Sequence, residues 1–232
     1  TNAVRYGRTL LKSIRKFLIF QLTVNVAAIL VAFLGPFFGT NLPLTMTQLL
    51  WVNIVMDTLA AFAFSGEPAL QRYMSEEPIP KGDSLITGDM WSAILIDGIY
   101  MAFLSLFFLT SDFVSELFVC DEIRCPDPEV NLVLLTAFFG FFVFINNFNK
   151  FNARTEGLNL FEHITENRSF IMVVVLIFFL QGTFTYIGGE VLRTIGLTFE
   201  EWGYVLVFAV TIIPLDLLRK FLRNTFVGNP VA

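Results

Sequence analysis

Six long apolar segments constrain the fold of this chain more than any other feature of its sequence. They lie at 14–34, 44–64, 90–110, 131–151, 170–188 and 202–222. A helix of ~20 residues, at 1.5 Å of rise per residue, crosses a hydrocarbon core of roughly 30 Å. Lipid offers no hydrogen-bond partners to the backbone, and the segments lack the alternation of barrel strands. The sequence therefore predicts an all-α membrane protein, a polytopic bundle of six transmembrane helices.

Composition agrees with this interpretation. Of the 232 residues, 55% are hydrophobic and only 15% are charged, whereas soluble domains carry about 25% charged residues. Phenylalanine alone occupies 28 positions. We therefore expect the lipid bilayer as a partner and no nucleic acid.

The positions of lysine and arginine predict the orientation. With six helices, all of the 15 lysines and arginines except Arg124 and Arg193 fall on one side of the membrane. Such an excess marks the cytoplasmic side, so both termini are expected there. Residues 1–13 are then a cytoplasmic stalk extension, 14–222 the membrane domain, and 223–232 a cytoplasmic tail. The chain is expected to be part of a longer protein.

Both cysteines, Cys120 and Cys125, fall in the predicted outer loop 111–129. A disulfide is expected there only if the loop faces an oxidising compartment. The sequence alone leaves a disulfide and two free thiols equally open.

Three polar residues within the first two spans form the candidate binding site. Asp57 lies deep in the second span, where an ionisable residue is costly and indicates function. Asn53 precedes it by one helical turn on the same face, and Asn25 lies mid-depth in the first span. Carboxylate and amide oxygens suit calcium, magnesium or sodium. The alternatives are interhelical hydrogen bonds for the two amides and a structural buried acid at Asp57.

Other polar residues are expected to have structural roles. Asp97 is predicted to be interfacial or paired with a polar neighbour, and Asp216 to form a helix-surface pair with Arg219. His163 is expected to be solvated. No catalytic or cofactor-binding residue is predicted, because the sequence has no histidine or cysteine cluster and no glycine-rich phosphate loop.

Three asparagines crowd the cytoplasmic end of the fourth span. Asn146, Asn147 and Asn149 either face the bundle or mark the exit of the helix from lipid. The second interpretation is favoured for Asn147 and Asn149.

At these positions the chain resembles a known family. The segments IRKFLIFQLTVNVAAILVAF (14–33) and PLTMTQLLWVNIVMDTLAAFAFSGEP (43–68) are similar to the fifth and sixth membrane helices of P-type calcium ATPases, particularly of the plasma-membrane type. The LTVN and LWVNxxMDTxA patterns carry the likeness, which continues through INNFNKFNAR (145–154) and LTFEEW (197–202). The resemblance covers the last six of ten membrane helices.

The resemblance implies a calcium pump of the plasma membrane. It implies that Asn53, Asp57 and Asn25 are calcium ligands, and that ATP and magnesium bind only in cytoplasmic domains outside this chain. The chain alone would then be inactive.

A single calcium site is also implied, because family ligands of a second site are replaced. Ala28 and Asn146 stand where two-site pumps carry glutamates, and Met56 stands where they carry a threonine. The alternatives are a P-type pump for another cation, or a secondary transporter or channel. Transporters and channels often bind at broken helices, and no broken span is expected here.

Overall fold

A computed structural model describes residues 2–39, 43–74, 84–121, 123–125, 127 and 130–226, with only the backbone described for Asn2 and Arg72. These residues form helices and turns and include no strand, which confirms the all-α prediction. The helices are α1 (Asn2–Leu34), α2 (Met46–Leu50), α3 (Asp57–Ser65), α4 (Gly88–Thr110), α5 (Asp112–Leu117), α6 (Leu132–Arg154), α7 (Arg168–Ile187), α8 (Gly189–Leu192), α9 (Phe199–Val210) and α10 (Ile212–Phe226). A π-helical segment, Trp51–Met56, joins α2 to α3, and 3₁₀ turns occupy Gly35–Phe38, Gln71–Met74 and Ile164–Glu166.

Within the described residues, five helical segments are long and apolar enough to cross a membrane. They match the first five predicted spans and comprise Ala3–Phe38, Met46–Ser65, Gly88–Thr110, Leu132–Arg154 and Arg168–Ile187. The sixth predicted span, 202–222, is divided at Thr211 between α9 and α10. Pro214 explains the division, because it has no N–H to donate to the carbonyl of Val210. The expectation that every span is unbroken is therefore wrong.

The first span and the predicted stalk are a single helix. α1 starts at Asn2 and continues without interruption through residue 13 to Leu34. The 3₁₀ turn with Pro36 then ends it, and Gly39 adopts the left-handed conformation that glycine tolerates best. Residues 40–42 of the predicted hairpin turn lie outside the described residues.

α6 is the central helix of the bundle. It packs against α1, α4, α7, α9 and α10. A helix that is apolar all round is typically buried on every side, and nearly all of α6 is buried. The ring of Phe141 stacks on Phe108 of α4 with centroids 4.9 Å apart. The phenylalanine content therefore fills the protein interior as well as facing lipid.

The predicted outer loop contains a disulfide between Cys120 and Cys125, whose Cα atoms are 5.8 Å apart. Between them in sequence, Arg124 Nη1 donates to Glu201 Oε1 at 2.8 Å. Glu201 also belongs to the capping box with Thr198 that begins α9. The loop is therefore attached to the start of the last helical pair.

Candidate cation site

The second span is irregular at the predicted site. Its α-helical hydrogen bonding changes to π-helical bonding over Trp51–Met56 and returns at Asp57. The Thr58 hydroxyl donates to the carbonyl of Ile54 at 2.6 Å, and the same carbonyl accepts the N–H of Asp57. Short π-helical insertions in α-helices are frequent at functional sites.

Asp57 is the first residue of α3 and is half-buried. Its Oδ2 accepts a hydrogen bond from Gln21 Nε2 of α1 at 3.3 Å. Its Oδ1 is buried, and no donor among the described residues reaches it. A buried carboxylate oxygen without a donor is energetically costly, and a cation would satisfy it.

Neither of the other two predicted ligands is hydrogen-bonded to Asp57 among the described contacts. Asn53 lies within the π-helical segment with its side chain exposed, and Asn25 is partly buried on α1. Among the described hydrogen bonds, Gln21 is the only partner of the Asp57 carboxylate.

Gln21 was not predicted as a site residue, although the sequence carries a signal for it. It is an amide within the apolar first span, four residues before Asn25, and therefore on the same face of α1. An amide at that depth requires a hydrogen-bond partner, and the partner is Asp57.

The asparagines of α6 face the bundle. Asn146 Nδ2 donates to its own helix at the carbonyl of Phe142, and Asn147 Nδ2 donates to the carbonyl of Val174 on α7. Both Asn147 and Asn149 are buried. The expectation that these two mark the exit from lipid is therefore wrong, because α6 is surrounded by helices to its last turn.

Lys150 is a second residue whose location the sequence did not reveal. The charge distribution places it with the cations at the cytoplasmic end of the fourth span, and its side chain is completely buried. Lys150 Nζ donates to Asn147 Oδ1 at 3.2 Å and lies 5.1 Å from the centre of the Phe20 ring. Its charge also interacts with that of Asp57.

A separate cluster of buried charges joins α10 to α4 and α6. Asp216 is paired with Arg219 at 2.6 Å, as predicted, and with Lys220 at 2.7 Å. The pair is buried rather than on the helix surface, because this face of α10 packs on α6, where Lys220 donates to the carbonyl of Asn152. Asp97 is buried beside Asp216, in agreement with the prediction of a polar neighbour.

Just beyond α3, Glu67 connects three helices. It pairs with Lys16 of α1, and its Oε1 accepts hydrogen bonds from Arg154 Nε at 2.7 Å and Asn167 Nδ2 at 2.8 Å. Burial opposes ionisation, but the neighbouring cations and the hydrogen bonds outweigh it and lower the pKa of Glu67 below its ordinary value. The network borders a cavity of about 350 Å³, which His163 also lines. His163 is exposed and bonded to Glu166, so its predicted solvation is confirmed.

Across the part of the chain that the structure describes, no three histidine, cysteine, aspartate or glutamate side chains converge on one point. A cation at Asp57 would therefore bind one carboxylate and complete its shell with amide, carbonyl or water oxygens. That ligand set suits a hard cation such as calcium or sodium.

Comparison with known proteins extends this description to the whole chain. Residues 41–222 match the family described as “Cation transporting ATPase, C-terminus”. The chain is 36% identical over 224 residues to calcium-transporting ATPase 8, plasma membrane-type, of Arabidopsis thaliana, covering 95% of this chain and 20% of the relative. It is 36% identical over 222 residues to calcium-transporting ATPase 10, plasma membrane-type, of Oryza sativa subsp. japonica, covering 95% and 21%. It is 32% identical over 229 residues to calcium-transporting ATPase 2 of Schizosaccharomyces pombe, covering 97% and 17%. The chain thus spans about a fifth of the length of the curated relatives it matches.

Proposed function

The chain belongs to the family of cation-transporting ATPases, and from that premise we propose that it is the cation-binding membrane domain of a calcium pump of the plasma membrane. Calcium is the transported ion. ATP and magnesium bind in cytoplasmic domains of the whole pump, which this chain does not include. The names of the relatives support calcium as the ion and the plasma membrane as the location.

The membrane domain crosses the bilayer six times, with α9 and α10 together forming the sixth crossing. Both termini are cytoplasmic, residues 1–13 extend α1 as a stalk, and residues 223–232 form the cytoplasmic tail. The lysine and arginine distribution supports this orientation. Protease applied to sealed vesicles tests it, because cleavage of the 111–129 loop from the cytoplasmic side would contradict it.

One observation carries the proposal: Asp57 presents a buried carboxylate oxygen without a donor, where the second span changes from π-helix to α-helix. The carboxylate supplies the charge that a divalent cation requires at this depth. Asn53 lies four residues before Asp57 in the irregular turn, and a change of this turn on ion binding would bring the Asn53 amide to the cation. Asn25 lies one turn further along α1 than Gln21, which donates to Asp57.

The chain supplies part of a single calcium site. Calcium takes six to eight oxygen ligands, so water, backbone carbonyls and helices outside this chain complete the cage. Ala28 and Asn146 lack the carboxylates that a second site would need, and Met56 lacks a hard oxygen donor. One calcium ion per ATP is the expected stoichiometry.

Asp57→Asn in the whole pump tests the site. The variant keeps the shape of the side chain and removes its charge, so calcium-dependent phosphorylation should be lost while the protein remains folded. Asp112→Asn is a matched control, because Asp112 is exposed in the predicted outer loop and should be dispensable. Full calcium-stimulated turnover in Asp57→Asn would refute the assignment. In the wild-type pump, phosphorylation driven by another cation, but not by calcium, would assign the site to that cation.

A further inference from the structure

Lys150 is a fully buried charge that the proposed ligand set does not use. It lies on α6, the helix most completely enclosed by the others. Burying an ammonium group costs several kcal/mol unless hydrogen bonds and an opposite charge compensate it. An ionisable side chain inside a membrane domain therefore indicates a function, and that function is expected to involve its partner of opposite charge.

The surroundings of Lys150 compensate its charge incompletely. An ammonium group has three donors, and the described residues give Lys150 one hydrogen-bond acceptor, Asn147 Oδ1, together with the face of the Phe20 ring. The carboxylate whose charge acts on Lys150 is Asp57, which has a buried oxygen without a donor. The ammonium has spare donors, and the carboxylate has a spare acceptor.

Adjacent residues of α1 contact both groups. Phe20 lies under the ammonium group of Lys150, and Gln21 donates to the carboxylate of Asp57. The two charged groups are therefore near the same turn of α1, yet they form no ion pair in the described structure. Lysine has a flexible four-carbon stem, so its ammonium group can shift without a change in the backbone.

We propose that Lys150 is a tethered cation that competes with calcium for the Asp57 carboxylate. The inference rests on the proposed function of Asp57 and adds a residue that sets calcium affinity. From its position at Asn147 and the Phe20 ring, the ammonium group acts on the Asp57 carboxylate. Lys150 and a bound calcium ion are both attracted to this carboxylate and repel each other, so the charge of Lys150 opposes calcium binding.

This competition lowers calcium affinity and favours release of the ion. A lysine that only stabilised the fold, or that only oriented Asn147, would not weaken calcium binding. Removing the charge should therefore strengthen calcium binding if Lys150 competes with the ion. It should not strengthen calcium binding if Lys150 has only a structural role.

The test uses the whole pump with Lys150→Gln and Lys150→Met, which remove the charge with and without a polar group. Both variants should reach half-maximal phosphorylation at lower calcium, by a factor of roughly 5 to 100, typical of coupling between two competing ligands. Equilibrium binding of radioactive calcium without ATP should show the same shift. Lys150→Arg, which keeps the charge, should stay close to the wild type.

Lys220→Gln is the matched control, because Lys220 is also a buried lysine but pairs with Asp216. It should lower the unfolding temperature and leave calcium affinity unchanged. Unchanged or weaker calcium affinity in both neutral Lys150 variants would overturn the inference. If Asp57→Asn abolishes calcium-dependent phosphorylation while those variants bind calcium like the wild type, only the role of Lys150 fails. If Asp57→Asn is fully active, both the proposed calcium site and the role of Lys150 are refuted.

Discussion

Arg154 Nε lies 2.7 Å from Glu67 Oε1, so the last residue of α6 is paired with the segment that follows α3. Both side chains are almost completely buried, and Lys16 of α1 shares the same carboxylate. Glu67 therefore joins the N-terminal half of α1, the central helix α6 and the end of the second span.

Removing the charge of Glu67 should destabilise the domain. Glu67→Gln leaves Lys16 and Arg154 buried without their partner, and breaking a buried ion pair in this way costs roughly 3–5 kcal/mol. Unfolding of the purified protein in detergent measures the loss. Glu166→Gln is the control, because Glu166 is exposed and pairs with His163 at the surface, where a change of less than about 0.5 kcal/mol is expected. Equal stability of the two variants would contradict the structural role of Glu67.

The contribution of Glu67 should disappear in acid. Its pKa is lowered from the ordinary 4.5 in the folded protein, so the unfolded chain takes up the proton first as pH falls. The stabilisation is therefore complete above about pH 4.5 and is lost as the pH falls through the lower pKa of the folded state. Unfolding curves of wild type and Glu67→Gln should differ by a constant amount from pH 5 to pH 8 and converge below that range. A difference that grows on acidification would contradict the assignment.

Gly98 sets the distance between α1 and α4. A Cβ atom at this position would lie 2.9 Å from Val26 Cγ1 and 3.3 Å from the carbonyl oxygen of Thr23. Gly98→Ala should therefore cost about 1–3 kcal/mol through overpacking. Gly203→Ala is the matched control, because no atom lies within 4 Å of its added Cβ, and alanine favours the helix by up to about 1 kcal/mol. Opposite shifts in unfolding temperature are expected, and a neutral Gly98→Ala would refute the close approach.

The disulfide between Cys120 and Cys125 should protect both thiols from alkylation until a reductant is added. Closing such a short loop stabilises the folded state by about 2 kcal/mol in the chain-entropy description. Cys120→Ser with Cys125→Ser should lower the unfolding temperature accordingly. The paired substitution also loosens Arg124 from Glu201, so Arg124→Gln is a useful comparison that leaves the disulfide intact. Labelling of the wild type without reductant would exclude the disulfide.

The sequence by itself determined the helical class, the five segments long and apolar enough to cross a membrane, and the position of Asp57 within the second of them. Each of these follows from a local cause. A long apolar segment in lipid must satisfy its backbone hydrogen bonds within itself, whatever surrounds it. A carboxylate in such a segment is identified by its position in the chain alone. The LTVN and LWVNxxMDTxA patterns indicated the family in the same way, since they depend only on the order of residues.

Only the tertiary structure decided the directions and partners of the polar side chains. Asn147, Asn149 and Lys150 stand near a predicted helix end, where solvent exposure is the simplest expectation. They are buried because five other helices surround α6. The π-helical segment Trp51–Met56 is likewise a feature that regular helical periodicity does not predict. The pairing of Glu67 with Lys16 and Arg154 joins residues far apart in the chain, and such contacts arise only when helices pack.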